Sequence, residues 1–433
     1  MNIILYHAGH IILGWLALKI SAAKENNFSV LEKLLIFSVA LIPLGKLIYL
    51  PIPGMYGLKF SFIFGSVLAF FWFMYVGVKK RTWLLFITLF FPILSLIYIQ
   101  NYDWILLYQL SVDQKDSSLL RLFSYIGLLL YCATIYTAIL KNKNIYIRFA
   151  DYYVIGTVLA SIVGVYIFYF VLNGTYTSID LEPVSAGVHV VNMSNVSIYR
   201  FNPGANVNEF SMILAYAIFL LPFTSFSTKT KILLVVIFLL LEFATLTRAS
   251  WLALLLASFI SLFFLSNLRR NLAYVFWASL VFIFIFSIVY HSSEQVRILF
   301  ETRTSFDVGA SGVERLEKFS NVFLSISDSM FRILFGFGWS TNMYVHNVYL
   351  QLWYEIGLFG LVVFIVSLTL FIKNVFYIHK GVWKSALIAC IVFLAFVSLM
   401  HHTFYHMQTW FILAFVAGLS TNLRYLNRGS ECH

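Results

Sequence analysis

Apolar residues in this chain come in runs of about 17 to 25 separated by polar connections, and a helical run of that length crosses ~30 Å of hydrocarbon. The candidate spans are 3–20, 31–50, 58–78, 82–100, 119–140, 151–172, 208–225, 231–247, 249–266, 271–290, 348–372, 384–400 and 407–423. The runs do not alternate apolar with polar residue by residue, so they predict helices rather than the strands of a barrel. The expected fold is an all-α polytopic membrane protein of about 12–13 transmembrane helices. One polar stretch, SGVERLEKFSNVFLSISDSMFRIL, carries Val313, Leu316, Phe319, Phe323, Ile326 and Met330 at helical spacing. It predicts an amphipathic helix that lies on the membrane surface, caps a cavity, or packs as a plain loop helix.

The connections sort by charge. Lys24 and Lys33, then Lys79, Lys80 and Arg81, then Lys141, Lys143 and Arg148, then Lys229 and Lys231, then Arg269 and Arg270, then Lys373, Lys380 and Lys384, and finally Arg424 and Arg428 fall at every second connection. The positive-inside rule makes these connections cytoplasmic. The N-terminus is then outside and the C-terminus inside, unless the first segment does not fully cross. That first segment has no basic leader or small-residue cleavage site and is read as a span rather than a removable signal. The long outer connections are 101–118, 173–207 and 291–347. The organisation expected is N-terminal transmembrane helices over 1–172, an extracytoplasmic loop over 173–207, helices carrying an arginine turn over 208–290, a large extracytoplasmic loop over 291–347, and C-terminal helices with a cytoplasmic tail over 348–433.

Composition agrees. With 61% hydrophobic and 11% charged residues among 433, the chain has more apolar surface than one soluble core can hide. The net charge of +11 is scattered in the short clusters just named, which is a topology signal and not a nucleic-acid face. Three cysteines give neither a disulfide framework nor zinc spacing.

Against this background a few polar residues at the outer face stand out. In YVHNVYLQLWYEIGLFG, His346 and Asn347 stand where a polar loop turns into an apolar run, and Gln351 and Glu355 follow on one helical face. Polar groups there are costly unless they face a cavity or a partner; the alternative is an ordinary helix start with an interfacial histidine. Gly357 and Gly360 allow close helix packing. Arg248, in TLTRASWL, interrupts a long apolar run and belongs in a tight outer turn, where it suits an anionic ligand or a lipid phosphate. Arg200 is also on the outer side, followed by Gly204, Asn206, Asn208 and Glu209. Its planar fork matches phosphate oxygens. Gly204 could bring backbone amides to a head group, and Asn208 could bind substrate or simply cap the next helix. Arg315 is a third outer cation, or else a local partner of Glu314 or Glu317. His401, His402 and His406 lack nearby carboxylate or cysteine company, so they read as an interfacial loop and not as a metal site.

These strings resemble the O-antigen polymerase and ligase superfamily of integral membrane glycosyltransferases. Arg200 to Phe210 looks like the family's Arg, Gly and Asn/Glu motif, Thr247 to Trp251 like its Ser/Thr-Arg-small-x-Trp turn, and Arg315 through Gly360 like its large periplasmic loop ending in HNxYLQxxxExGxxGL. The resemblance covers roughly 200–372, and the order NPGANVNEF departs from the family's commoner pattern.

The resemblance implies a multi-pass protein of the bacterial inner membrane with its active site facing the periplasm. It implies inverting transfer of a glycan from undecaprenyl pyrophosphate, with no cofactor or metal. Arg200 and Arg248 would hold the pyrophosphate, with Arg315 in support, and His346 would act as base or orient the phosphate. Asn347, Gly204, Asn208, Gln351 and Glu355 would bind substrate, and Glu209 is given no role as a base. A polymerase is expected ahead of a ligase that loads lipid A core, and a transporter of lipid-linked sugars is the rival of another class. The implied partners are the lipid-linked glycan, the bilayer and a chain-length co-polymerase, with no nucleic acid.

Overall fold

The computed structural model describes residues 11–20, 28–45, 59–98, 118–172, 190–193, 196–201, 203, 207–267, 287, 290, 291, 297, 310–339, 345–401 and 403–430. Within them the chain is helical apart from one antiparallel hairpin. The helices are α1 (Ile11–Ile20), α2 (Val30–Leu41), α3 (Phe60–Val76), α4 (Trp83–Ile87), α5 (Phe90–Tyr98), α6 (Ser118–Lys141) and α7 (Ile145–Leu172). After the hairpin β1 (Val190–Met193) and β2 (Val196–Tyr199) come α8 (Val207–Leu220), α9 (Thr228–Ala244), α10 (Arg248–Leu262), α11 (Ala310–Ser327), α12 (Met330–Phe335), α13 (Val348–Ile372), α14 (Val382–Val397) and α15 (Met407–Ser430). The expected span at 271–290 lies outside the described residues except for 287 and 290, and the connection 101–117 lies wholly outside them.

Three described helical stretches are long and apolar enough to cross a membrane, Arg121–Lys141, Ile145–Ile167 and Val348–Tyr377, and Ile11–Ile20, Phe60–Val76, Val207–Phe223, Arg248–Leu262 and Val382–Val397 are shorter apolar helices. Large apolar side chains face outward on several of them: Leu255 is 69% exposed and Leu240 66%, with Phe71, Met74, Leu252, Ile365 and Val366 also exposed. Outward apolar faces of this extent are those of a membrane protein and not of a soluble monomer.

At the centre, α6 runs alongside α15. Tyr125 packs 5.6 Å from Trp410, and further along Asn422 Nδ2 donates to the Ile139 carbonyl at 2.7 Å. Serines bond at the α10–α14 contact, where Ser385 Oγ donates to the Ser261 carbonyl at 2.9 Å.

Two expected spans are interrupted. The 82–100 run is two helices, α4 and α5, separated at Thr88 and Leu89. The 348–372 run breaks at Gly357, where φ is +69°. The break frees carbonyls that a continuous helix would use, and a second segment supplies their donors: Phe337 N–H bonds the Tyr354 carbonyl at 2.8 Å and Gly338 N–H the Glu355 carbonyl at 2.9 Å. Gly336 and Gly357 meet at this crossing. A Cβ on Gly357 would sit 2.2 Å from the Leu334 carbonyl oxygen, and one on Gly336 would sit 2.6 Å from that of Glu355. Gly357 therefore makes a break and a backbone crossing, where the sequence suggested helix-to-helix packing. Non-helical backbone at membrane depth is tolerable only where protein covers it, and the 334–339 segment does so.

The amphipathic helix is present as α11, but its inward side differs in part from the expected one. Val322 and Ile326 are buried, with Phe319 partly so, against Val345, Leu350 and Tyr354. Leu316, Phe323 and Met330, expected on the inward stripe, are exposed. The helix thus carries apolar residues on two sides.

Candidate functional site

Arg200 follows the end of β2 and reaches across to the turn between α9 and α10. Its Nε donates to the Thr245 carbonyl at 2.9 Å and its Nη2 to Thr247 Oγ1 at 3.1 Å. The next residue repeats the tie, as Phe201 N–H bonds the Ala244 carbonyl at 2.9 Å. Leu246, between the two threonines, has φ 55°, a left-handed conformation that a side chain such as leucine adopts only when its surroundings impose it. Arg200 grips the turn on both sides of that residue. Directly after it Arg248 opens α10, and it is exposed. Trp251 steadies the same corner: its Nε1 donates to the Glu242 carbonyl at 2.9 Å, and its ring stacks 4.9 Å from Phe243. The two arginines singled out in the sequence, 48 positions apart by number, are thereby brought to one corner of the fold.

The start of α13 forms a second corner. Asn347 is its N-cap, with Oδ1 accepting from Leu350 N–H at 3.0 Å, so the asparagine is committed to the helix start. Gln351 Oε1 accepts from Val345 N–H at 2.7 Å, and its Nε2 donates to Glu355 Oε1 at 2.6 Å. Glu355 is buried and lies 3.9 Å from Arg121 Nη1 near the start of α6. Arg121 also sits over the Tyr405 ring, 5.7 Å from its centre. Gln351 and Glu355 therefore fasten the chain around half-buried His346 and link it to a cation from another helix. Arg121 could have been found by the reasoning that picked Arg248, being a lone basic residue at the outer end of a span.

Lys59, Glu209 and His406 form a third corner from three distant segments. Glu209 Oε1 is bonded by Lys59 Nζ, and His406 Nδ1 lies 3.3 Å from the same oxygen. The carboxylate side chain is only 4% exposed, against 24% for the imidazole. A buried charge of this kind is sustained by its partners.

Short links join the corners. Val348 N–H bonds the Ser398 carbonyl at 2.9 Å, and Ser398 Oγ is 2.6 Å from Thr403 Oγ1. His406 N–H then bonds the Thr403 carbonyl at 3.1 Å, so one turn runs from the start of α13, two residues past His346, to His406. On the other side Phe210, next to Glu209, packs 5.8 Å from Phe201, next to Arg200. Asn208 lies inside the first turn of α8, which starts at Val207, and is not the cap of that helix. Gly204 and the Arg315 side chain lie outside the described residues; the Arg315 backbone belongs to α11. His401 is buried, and His402 is outside the described residues.

Charges at the described ends of this face are Lys59, Arg121, Arg200 and Arg248 against the buried Glu209 and Glu355. The arrangement suits an anion brought to exposed Arg248, with the other cations holding the frame. No family model and no curated protein matches the chain.

Proposed function

We propose that the chain is a surface-polysaccharide (O-antigen) polymerase. It would transfer the growing glycan from undecaprenyl pyrophosphate to another lipid-linked repeat unit, with inversion and without metal, at the periplasmic face of the bacterial inner membrane. The observation that carries the reading is the Arg200 clamp on the Thr245–Thr247 turn, which presents Arg248 at the mouth of α10. Breaking the bond between sugar and pyrophosphate leaves negative charge on the departing phosphate, and preorganised cations lower that barrier more at a water-poor mouth than in bulk water. His346 belongs to the same face, either taking the proton of the attacking hydroxyl or orienting the phosphate.

One observation favours a second reading. The broken α13, with its exchanged backbone bonds, is a feature that transporters place at their substrate sites, so a transporter of lipid-linked sugars is the alternative. The enzyme reading rests on the grouping of cations at one end of the helices, where a transporter needs charges along a path through several spans.

Deleting the gene and resolving the surface glycan beside the undecaprenyl-linked pool tests both. Lipid A core bearing a single repeat unit, with no ladder, is expected. Full-length chains stranded on undecaprenyl above bare core would make the protein a ligase. Unextended single repeats accumulating on the cytoplasmic side would make it a transporter.

A further inference from the structure

We infer that His406, held by Glu209, is the group that takes the proton from the acceptor hydroxyl, and that Glu209 and Lys59 are its positioning residues. The inference rests on the glycosyl-transfer reading above and assigns within it the role left open between two uses of His346.

The argument is geometric. Glu209 is almost wholly enclosed and its Oε1 faces His406 Nδ1 at 3.3 Å. A carboxylate at Nδ1 keeps the proton of the neutral ring on that nitrogen, so Nε2 is the basic atom. It also fixes the plane of the ring, the arrangement by which a buried acid orients a histidine base. Lys59 bonds the same oxygen and fixes the carboxylate. The ring itself is a quarter exposed, so a substrate hydroxyl can approach it. Among the described residues, the charged and titratable groups around it include Lys59 ahead of α3, Glu209 in α8, the adjoining Tyr405, and Arg121 of α6 beside that ring. Asn347, by contrast, is spent on capping α13, and the stretch around His346 is fastened by Gln351 and Glu355 toward Arg121. That places His346 in a cationic corner suited to phosphate.

In the step, the acceptor oxygen forms a bond to the anomeric carbon while the bond from that carbon to the pyrophosphate oxygen breaks. The leaving oxygen keeps the electron pair and departs as undecaprenyl pyrophosphate. The hydroxyl proton moves to His406 Nε2, and the resulting imidazolium lies against Glu209. The linkage from Glu209 through Phe210 and Phe201 to Arg200 keeps proton acceptor and pyrophosphate clamp in register.

The test uses the full chain in proteoliposomes with lipid-linked repeat units extracted from a strain deleted for the gene. His406→Gln is expected to lower kcat by about 100-fold or more with little change in KM, and added imidazole to restore part of it. Glu209→Gln, the second variant, is expected to lower kcat by about 10-fold with little change in KM, because the ring loses the group that orients it. His346→Gln is expected to raise KM. A folded His406→Gln protein with the wild-type kcat overturns the inference while leaving the transfer reading intact, and so does a wild-type kcat in Glu209→Gln. Wild-type protein that extends nothing overturns the transfer reading itself, and this inference with it.

Discussion

Removing the Arg200 guanidinium takes away the donor to the Thr245 carbonyl and the Thr247 hydroxyl at a turn that holds Leu246 at φ 55°. Arg200→Ala is therefore expected to cost about 1–3 kcal/mol of stability as well as transfer. Arg200→Lys keeps the charge but not the two-point fork and should remain impaired. Arg248 opens α10 beside the same turn and is exposed. Arg248→Ala should lose about 100-fold in rate with a smaller loss of stability than Arg200→Ala. Thermal unfolding of the purified variants beside a transfer assay separates the two. Both arginines were legible in the sequence because a lone cation at an outer end contradicts the charge rule. Their union was not, since it depends on threonine groups that no spacing marks. Glu209 and His406 were visible as residues yet passed over, because the contact that gives them meaning joins positions almost two hundred apart.

Among elements, α13 departs furthest from its sequence pattern. An unbroken apolar run reads as one helix, and the glycines within it read as packing points. What decides is the 334–339 segment, whose donors meet the Tyr354 and Glu355 carbonyls. Gly357→Ala and Gly336→Ala place a methyl group against backbone at a positive φ, so each should destabilise by roughly 2 kcal/mol or more. Gly14, where an added Cβ meets nothing within 4 Å, is the control and should tolerate alanine. Unfolding temperatures in detergent give the comparison. The first half of α13 also carries the Arg121–Glu355 pair. Glu355→Ala removes a buried carboxylate that meets both Gln351 and Arg121 and should cost about 1–3 kcal/mol, and the double variant with Arg121→Met should cost less than the two single changes added together. A double-mutant cycle on the same unfolding signal measures it.

Among the described residues, contacts between elements that involve a charged side chain gather at two ends. Lys59, Arg121, Arg200, Glu209, Glu355 and His406 join one another's neighbourhoods at one end. At the other, Arg81 Nη2 donates to the Leu370 carbonyl at 2.6 Å, Arg424 Nη1 to Asn374 Oδ1 at 2.8 Å, and Ser225 N–H to Asp151 Oδ1 at 2.7 Å. Arg81 and Arg424 belong to the basic connections that the charge rule assigns to one side, whereas the lateral neighbours of the helices leave no trace in charge. Sidedness is testable by labelling. Cys132 and Cys390 are buried, so a chain with Cys432→Ser offers a quiet background. Met400→Cys should react with an impermeant maleimide from the periplasmic side, and Ser227→Cys only after the inner membrane is opened. The reverse pattern would invert the topology and remove the proposed site from its substrate.

The most direct measurement of the central claim is extension of undecaprenyl pyrophosphate-linked repeat units by the purified chain in proteoliposomes, run beside Arg248→Ala. The account predicts a ladder of longer lipid-linked glycans with the wild-type protein and its loss with the variant at unchanged folding. Single repeats left unextended by the wild-type chain, or a ladder undiminished by Arg248→Ala, would contradict it.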